Sequence, residues 1–175
     1  MTQSKINLTI LKKHLKTCSQ AELIADIAEL YKRFQPVKDY YQIQLYPQEE
    51  KLVASKFKEI IEDEFFPARG YGRAKLSVAK KAITEYKKVN HSVVGLIDIM
   101  MFYVEQGVEF TIAYGDINEA FYISMETMYE KAIKEMIKHK KKDIFQKRCL
   151  KIVNDTSEMG WGFHDALSEI YEDAF

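Results

Sequence analysis

VVGLIDIMMFYV, residues Val93 to Val104, is the most apolar stretch of the chain, and its reading decides the fold. It contains Asp98 and is too short to cross a bilayer, which needs about 20 apolar residues. It therefore reads as a buried helix, with Ser92 placed to cap its first turn. On both sides of it apolar residues recur three and four apart instead of alternating, the period of helices and not of strands. Only 7 Gly and 3 Pro punctuate the 175 residues. The expectation is an all-α protein, a single domain over residues 1–175, arranged as an irregular helical bundle or array of about eight helices. No self-similarity of fixed period points to a solenoid.

Towards the C-terminus, Gly115 suits a left-handed helix end and Asp116 an N-cap ahead of Glu119, after which Phe121, Met125, Met128 and Ala132 keep one face. A basic turn, His139 to Lys142, precedes Asp143, read as the cap of a helix buried through Phe145, Cys149, Ile152 and Val153. The junction GWGFHD, Gly160 to Asp165, leads into a last helix with Phe163, Leu167, Ile170 and Tyr171 on one side. Towards the N-terminus, a helix burying Leu76, Ala79, Ile83 and Tyr86 follows the loop FPARGYGR, Phe66 to Arg73. The helix before that loop uses Val53, Phe57, Ile60 and Ile61 and starts near Pro47. Earlier still, Ser19 to Glu22 forms a capping box for a helix with Leu23, Ile27, Leu30 and Phe34 as its buried stripe. Pro36 is read as ending it, ahead of a short segment with Tyr40 and Tyr41, and a first short helix uses Leu8, Leu11 and Leu15.

Composition narrows the function classes. Hydrophobic residues at 47% and charged residues at 30% exclude a disordered chain. With 26 Lys+Arg against 26 Asp+Glu, no global field favours nucleic acid or an anionic membrane, so such a preference must be local. Cys18 and Cys149 form no CxxC pair and read as reduced, packed thiols, and Met1 to Leu15 lacks the apolar core of a signal peptide. A soluble, cytoplasmic protein without a membrane association is expected.

Three blocks carry a resemblance: FFPARGYGRAKLSVAKKAI (Phe65 to Ile83), YVEQGVEFTIAYGDINEAFY (Tyr103 to Tyr122) and GWGFHD (Gly160 to Asp165). With them the chain resembles, over essentially its whole length, an uncharacterised bacterial family, domain of unknown function 6155. The resemblance implies a free-standing helical protein and draws attention to three glycine-containing loops. It brings no activity and no residue roles.

Charge is laid out in blocks. Arg69 to Lys88 holds seven cations (Arg69, Arg73, Lys75, Lys80, Lys81, Lys87 and Lys88) and one anion, Glu85. Glu105 to Glu130 is acidic, Lys131 to Lys151 basic, and Asp155 to Asp173 acidic. The face carrying Arg73, Lys80, Lys81, Lys87 and Lys88 is a candidate grip for a phosphate backbone, set against the plainer reading that acidic and basic helices pack together. Asp98, Glu105 and Glu109 fall near one helical face, as do Glu119, Glu126 and Glu130, but no Glu-x-x-His pair accompanies them, and no metal or cofactor is expected. Asp98, interrupting an apolar run, is expected to be a paired buried carboxylate with a raised pKa.

His14, His91, His139 and His164 show no ligand spacing. A candidate small-ligand or enzyme site would form if the loops at 66–73, 115–116 and 160–165 converge: Arg69, Tyr71 and Arg73 for an anion, Asp116 as carboxylate, His164 oriented by Asp165, and Trp161 as a wall. Against it stands the reading that His164 or Asp165 caps the last helix while Trp161 packs. The leading functional expectation is a non-catalytic helical binding or scaffold protein with a protein partner. Nucleic-acid binding through the Arg69 to Lys88 face and the convergent loop site are the alternatives, and the sequence leaves the oligomeric state open.

Overall fold

The computed structural model describes residues 6–175. Its helices are α1 (Leu8–Leu15), α2 (Gln20–Arg33), α3 (Gln35–Leu45), α4 (Glu50–Phe65), α5 (Leu76–Val89), α6 (Val93–Tyr114), α7 (Glu119–Lys138), α8 (Lys142–Asp155) and α9 (Phe163–Ala174). A short 3-10 turn, Pro47–Glu49, runs directly into α4. The fold is all-α, a helical array with no strand among the described residues.

The VVGLIDIMMFYV run forms the first half of α6, capped by the Ser92 hydroxyl, which accepts from the Gly95 amide at 3.1 Å. α6 is the axis of the molecule. It packs against α4, α5, α7 and α8, and Ile97, Ile99, Met101, Tyr103 and Val104 on it are wholly inaccessible to solvent. Such burial on most of its circumference is what an apolar run without an amphipathic pattern demands. Around it, Phe65 sets its ring edge-on to Tyr103 and Phe110, joining α4 to α6, while Tyr129 and Cys149 join α7 to α8 through a 3.3 Å hydrogen bond from the Tyr129 hydroxyl to the Cys149 carbonyl.

Two close approaches depend on glycine. At Gly95 an added Cβ would collide with the Glu50 carboxylate and the Tyr86 hydroxyl, so α6 lies against the polar cluster of Glu50, Tyr86 and Asn90 only because position 95 has no side chain. In that cluster the Asn90 amide donates to Glu50 at 2.9 Å and also to the Tyr86 hydroxyl. Gly72 folds the 66–73 loop back so tightly that a Cβ there would strike the Phe65 carbonyl.

Several local expectations change. Pro36 does not leave an irregular segment behind α2: it sits in the first turn of α3, where a missing N–H costs nothing, so there are nine α-helices among the described residues rather than about eight. The α7 cap is Asn118, accepting from the Phe121 amide at 3.0 Å, and not Asp116. Asp143 lies inside the first turn of α8 and forms no cap. Ile60 faces solvent, Leu76 is half-buried, and Ala54 and Phe65 complete the buried face of α4.

The largest correction concerns the N-terminal helices. The capping box at Ser19 and Glu22 is present, yet neither α1 nor α2 has a single buried residue. Ile27, Leu30 and Phe34 are exposed and Leu23 is half-buried, because α2 packs chiefly against α3 and, among the described residues, no helix of the α4–α9 body covers its apolar face.

Candidate functional site

The three glycine-containing loops do not share one cleft. Asp116 lines a cleft of about 610 Å³ between the end of α6 and the end of α8, with Thr111, Asn154, Asp155, Ser157 and Glu158. Here the second and third loops meet: Asp116 Oδ1 accepts from the Tyr122 hydroxyl at 2.7 Å and from the Gly160 amide at 3.5 Å. Burial, then the hydrogen bond to Asp116, pushes the Tyr122 hydroxyl above its ordinary pKa, so Tyr122 stays a donor. Arg69, Tyr71 and Arg73 line a different cleft of about 340 Å³, with Asp63, Glu64 and Lys75. The first loop does reach the end of α6, where the Phe66 ring stacks on Tyr114 at 6.2 Å.

His164 takes its partners from α8 and the turn after it. Its Nδ1 lies 3.1 Å from the Val153 carbonyl and 3.1 Å from the Thr156 hydroxyl, and that hydroxyl donates to the same carbonyl at 2.7 Å. Asp165 supplies no hydrogen bond to His164, and α9 starts without a side-chain cap from either. Trp161 adopts a positive φ of 62° and is 61% exposed, standing out from the surface. Among the described residues no group of three or more His, Cys, Asp or Glu could hold a metal ion.

Asp98 is the centre of an ion network that the charge blocks did not reveal. Arg148 on α8 reaches Asp98 at 2.5 Å and grips Glu105 through two bonds, Nε at 2.5 Å and a terminal nitrogen at 2.6 Å. Lys58 on α4 closes the set at 2.7 Å from the other Asp98 oxygen. Burial alone would raise the Asp98 carboxyl, as expected from the sequence, but Lys58 and Arg148 outweigh it and hold the group below the usual aspartate range. The network is a clamp across α4, α6 and α8, with every charge matched. A single arginine in a lysine-rich block is the signal that could have found it, since only guanidinium can bond two carboxylates in fixed geometry.

The basic block of α5 behaves differently. Lys80, Lys81, Lys87 and Lys88 are exposed, and helical spacing puts Lys81 and Lys88 opposite the buried Ala79, Ala82, Ile83 and Tyr86, with Lys80 and Lys87 on the flank between. Only Lys88 has an anion, Glu85 at 2.7 Å; among the described residues Arg69, Arg73, Lys75, Lys80, Lys81 and Lys87 form no ion pair. This face therefore carries uncompensated positive charge.

The third feature is apolar. Ile24, Ile27, Ala28 and Tyr31 of α2 face Tyr41 and Leu45 of α3 across a shallow groove of about 370 Å³ with almost no polar wall. Tyr31 and Tyr41 meet edge-on at 6.4 Å between ring centres. Ile24 is 59% exposed and Leu45 67%. Of these residues the sequence reading had named only Ile27 as buried, in a stripe with Leu23, Leu30 and Phe34, since a stripe at helical spacing looks the same whether or not anything covers it.

Helical packing around α6 defines an all-α protein with two distinctive surfaces, an exposed apolar face on α2 and α3 and a largely unpaired basic face on α5. The chain belongs to a family of unknown function, DUF6155, whose family model matches residues 5–175. No curated protein and no solved structure matches it. No described helix is long and apolar enough to cross a membrane.

Proposed function

We propose that this is a non-catalytic binding protein whose α2–α3 groove receives an amphipathic helix of a protein partner. The observation that carries the reading is the complete absence of buried residues on α1 and α2, although both are capped helices with large apolar side chains on one face. An isolated helix of 14 residues is marginal in water, and tertiary packing of the apolar face normally supplies its stability. Contiguous exposed apolar surface beside a groove is the signature of helix-in-groove docking. Free thiols, with Cys149 buried, support a cytoplasmic location.

The test uses a defined probe. A leucine-rich amphipathic model peptide, titrated into dilute protein and followed by fluorescence anisotropy, should bind saturably, and Ile27→Glu should abolish binding. Equal affinity of wild type and Ile27→Glu removes the reading.

A second reading is favoured by the unpaired cations of the 69–88 block: phosphate-backbone binding along α5. Labelled DNA and RNA titrated at two salt concentrations should bind with a log–log salt slope of about −0.9 per duplex phosphate contacted. The pair Lys80→Glu with Lys87→Glu should then cost at least tenfold in affinity. Salt-independent binding, or no loss in the double variant, sinks it.

A further inference from the structure

We infer that the cleft between the 66–73 loop and the end of α4 takes the terminal phosphate monoester of a single-stranded nucleic acid whose backbone runs along α5. The inference rests on the phosphate-backbone reading of α5 given above and names the part of the strand that is held.

The cleft concentrates charge that α5 spreads out. Arg69, Arg73 and Lys75 are exposed and line one space of about 340 Å³. Among the described residues none of the three forms an ion pair. An internal phosphodiester carries one negative charge, whereas a monoester carries close to two at pH 7 because its second pKa is about 6. Two guanidiniums in one cleft, each able to bond a pair of phosphate oxygens, favour that second charge.

The loop is anchored on both sides of Arg73. Gly72 lies so close to the Phe65 carbonyl that no side chain fits there, and the Ala74 amide donates to the Glu64 carbonyl at 2.7 Å. The Lys75 amide donates in turn to the Glu64 carboxylate at 3.2 Å. Anchored backbone has less freedom to lose when a ligand binds.

The surroundings of the cleft suit the end of a strand and not its middle. Lys75 is the N-cap of α5, so the cleft stands at the start of that helix, and Lys80, Lys81, Lys87 and Lys88 continue from it in one direction along about 20 Å of helix. The remaining charged residues of the cleft, Asp63 and Glu64 at the end of α4, are acidic and form no ion pair. A strand continuing through the cleft would bring further phosphates against these carboxylates, and a strand that ends there does not. Tyr71, in the same cleft and 84% exposed, offers its ring to the terminal base. Stacking of that kind needs a base outside a duplex, which selects a single strand.

The test is fluorescence anisotropy on the full chain with an oligothymidylate of about 12 nucleotides, unphosphorylated or phosphorylated at either end. In about 50 mM salt, wild type should bind one phosphorylated strand at least tenfold more tightly than the unphosphorylated one. Arg69→Ala with Arg73→Ala should erase that preference and leave the unphosphorylated strand within about threefold, with unchanged helical circular dichroism because both side chains are exposed. Lys80→Glu with Lys87→Glu should weaken all strands at least tenfold and keep the preference. Tyr71→Ala should reduce the preference at least fivefold, while Tyr71→Phe, which keeps the ring, preserves it. Equal affinity of wild type for all strands overturns the terminal phosphate and leaves the α5 reading standing, whereas no binding of any strand removes both. A preference that survives the double arginine substitution, or a loss shared equally by all strands, also overturns it, because the phosphate is then held elsewhere or not at all. Thymidine monophosphate binding alone as tightly as the phosphorylated strand would make the ligand a free nucleotide and overturn the strand.

Discussion

The α4–α9 body and the α1–α2 arm are written in the same sequence language and meet opposite fates. Both use capped helices with apolar residues three and four apart, and the capping box of α2 has both of its reciprocal bonds, including the Ser19 amide to Glu22 at 2.7 Å. In the body that pattern ends in side chains such as Phe65, Tyr103 and Met125 with no solvent contact; in the arm it ends in Ile24, Leu30 and Phe34 half open to water. Periodicity therefore reports which face of a helix needs a cover, and says nothing about whether the chain itself supplies one.

The two cysteines give the sharpest contrast. Cys149 is buried in the body, and burial pushes its thiol up to about 12, whereas Cys18, between the two helices of the arm, is partly exposed. A maleimide or disulfide reagent at pH 8 should label Cys18 rapidly and Cys149 only through global opening, slower by on the order of 10³-fold or more. Comparable rates for both would mean that the body opens as easily as the arm. Next in size, Phe65→Ala should lower the unfolding free energy by about 3–5 kcal/mol in a denaturant titration. At micromolar dilution or below, Ile27→Ala should stay within about 0.5 kcal/mol of wild type.

Removing the clamp comes third. Arg148→Ala leaves Asp98 and Glu105 without their shared cation, and since both carboxylates remain partly solvated the cost should be about 1–3 kcal/mol. The pH dependence follows from the lowered Asp98 pKa. A carboxyl depressed in the folded state contributes stability above its unfolded pKa and loses it as pH falls through the folded value. Arg148→Ala brings the folded pKa back up, so its stability at neutral pH drops while the wild-type advantage shrinks at strongly acid pH. An equal deficit for the variant at pH 7 and pH 2.5 would show that Arg148 acts by packing and not by charge. A local effect is expected at Ser19→Ala, about 1 kcal/mol, and confined to the arm: faster amide exchange in α2 with the global transition unmoved.

Much of the body was legible. The Val93–Val104 run, the Ser92 cap, and the faces of α7 and α8 needed only periodicity and capping chemistry. Pro36 misled because proline both ends helices and opens them, and only the rest of the eleven-residue helix α3 tells which. Asp98 was recognisable as a charge in need of a partner, but Lys58 and Arg148 stand 40 and 50 residues away in sequence, and helical spacing carries no information about which helices become neighbours. The candidate loop site divided for the same reason: Asp116 and Gly160 come together across 44 residues, while Arg69 turns into its own cleft.

Phe34 serves at once as the C-cap of α2 and the N-cap of α3, extended at φ −119° and ψ 117°. One residue leaves no slack, so the arm is a bent lever and not a tether. Whatever grips the far end has the orientation of the body imposed on it.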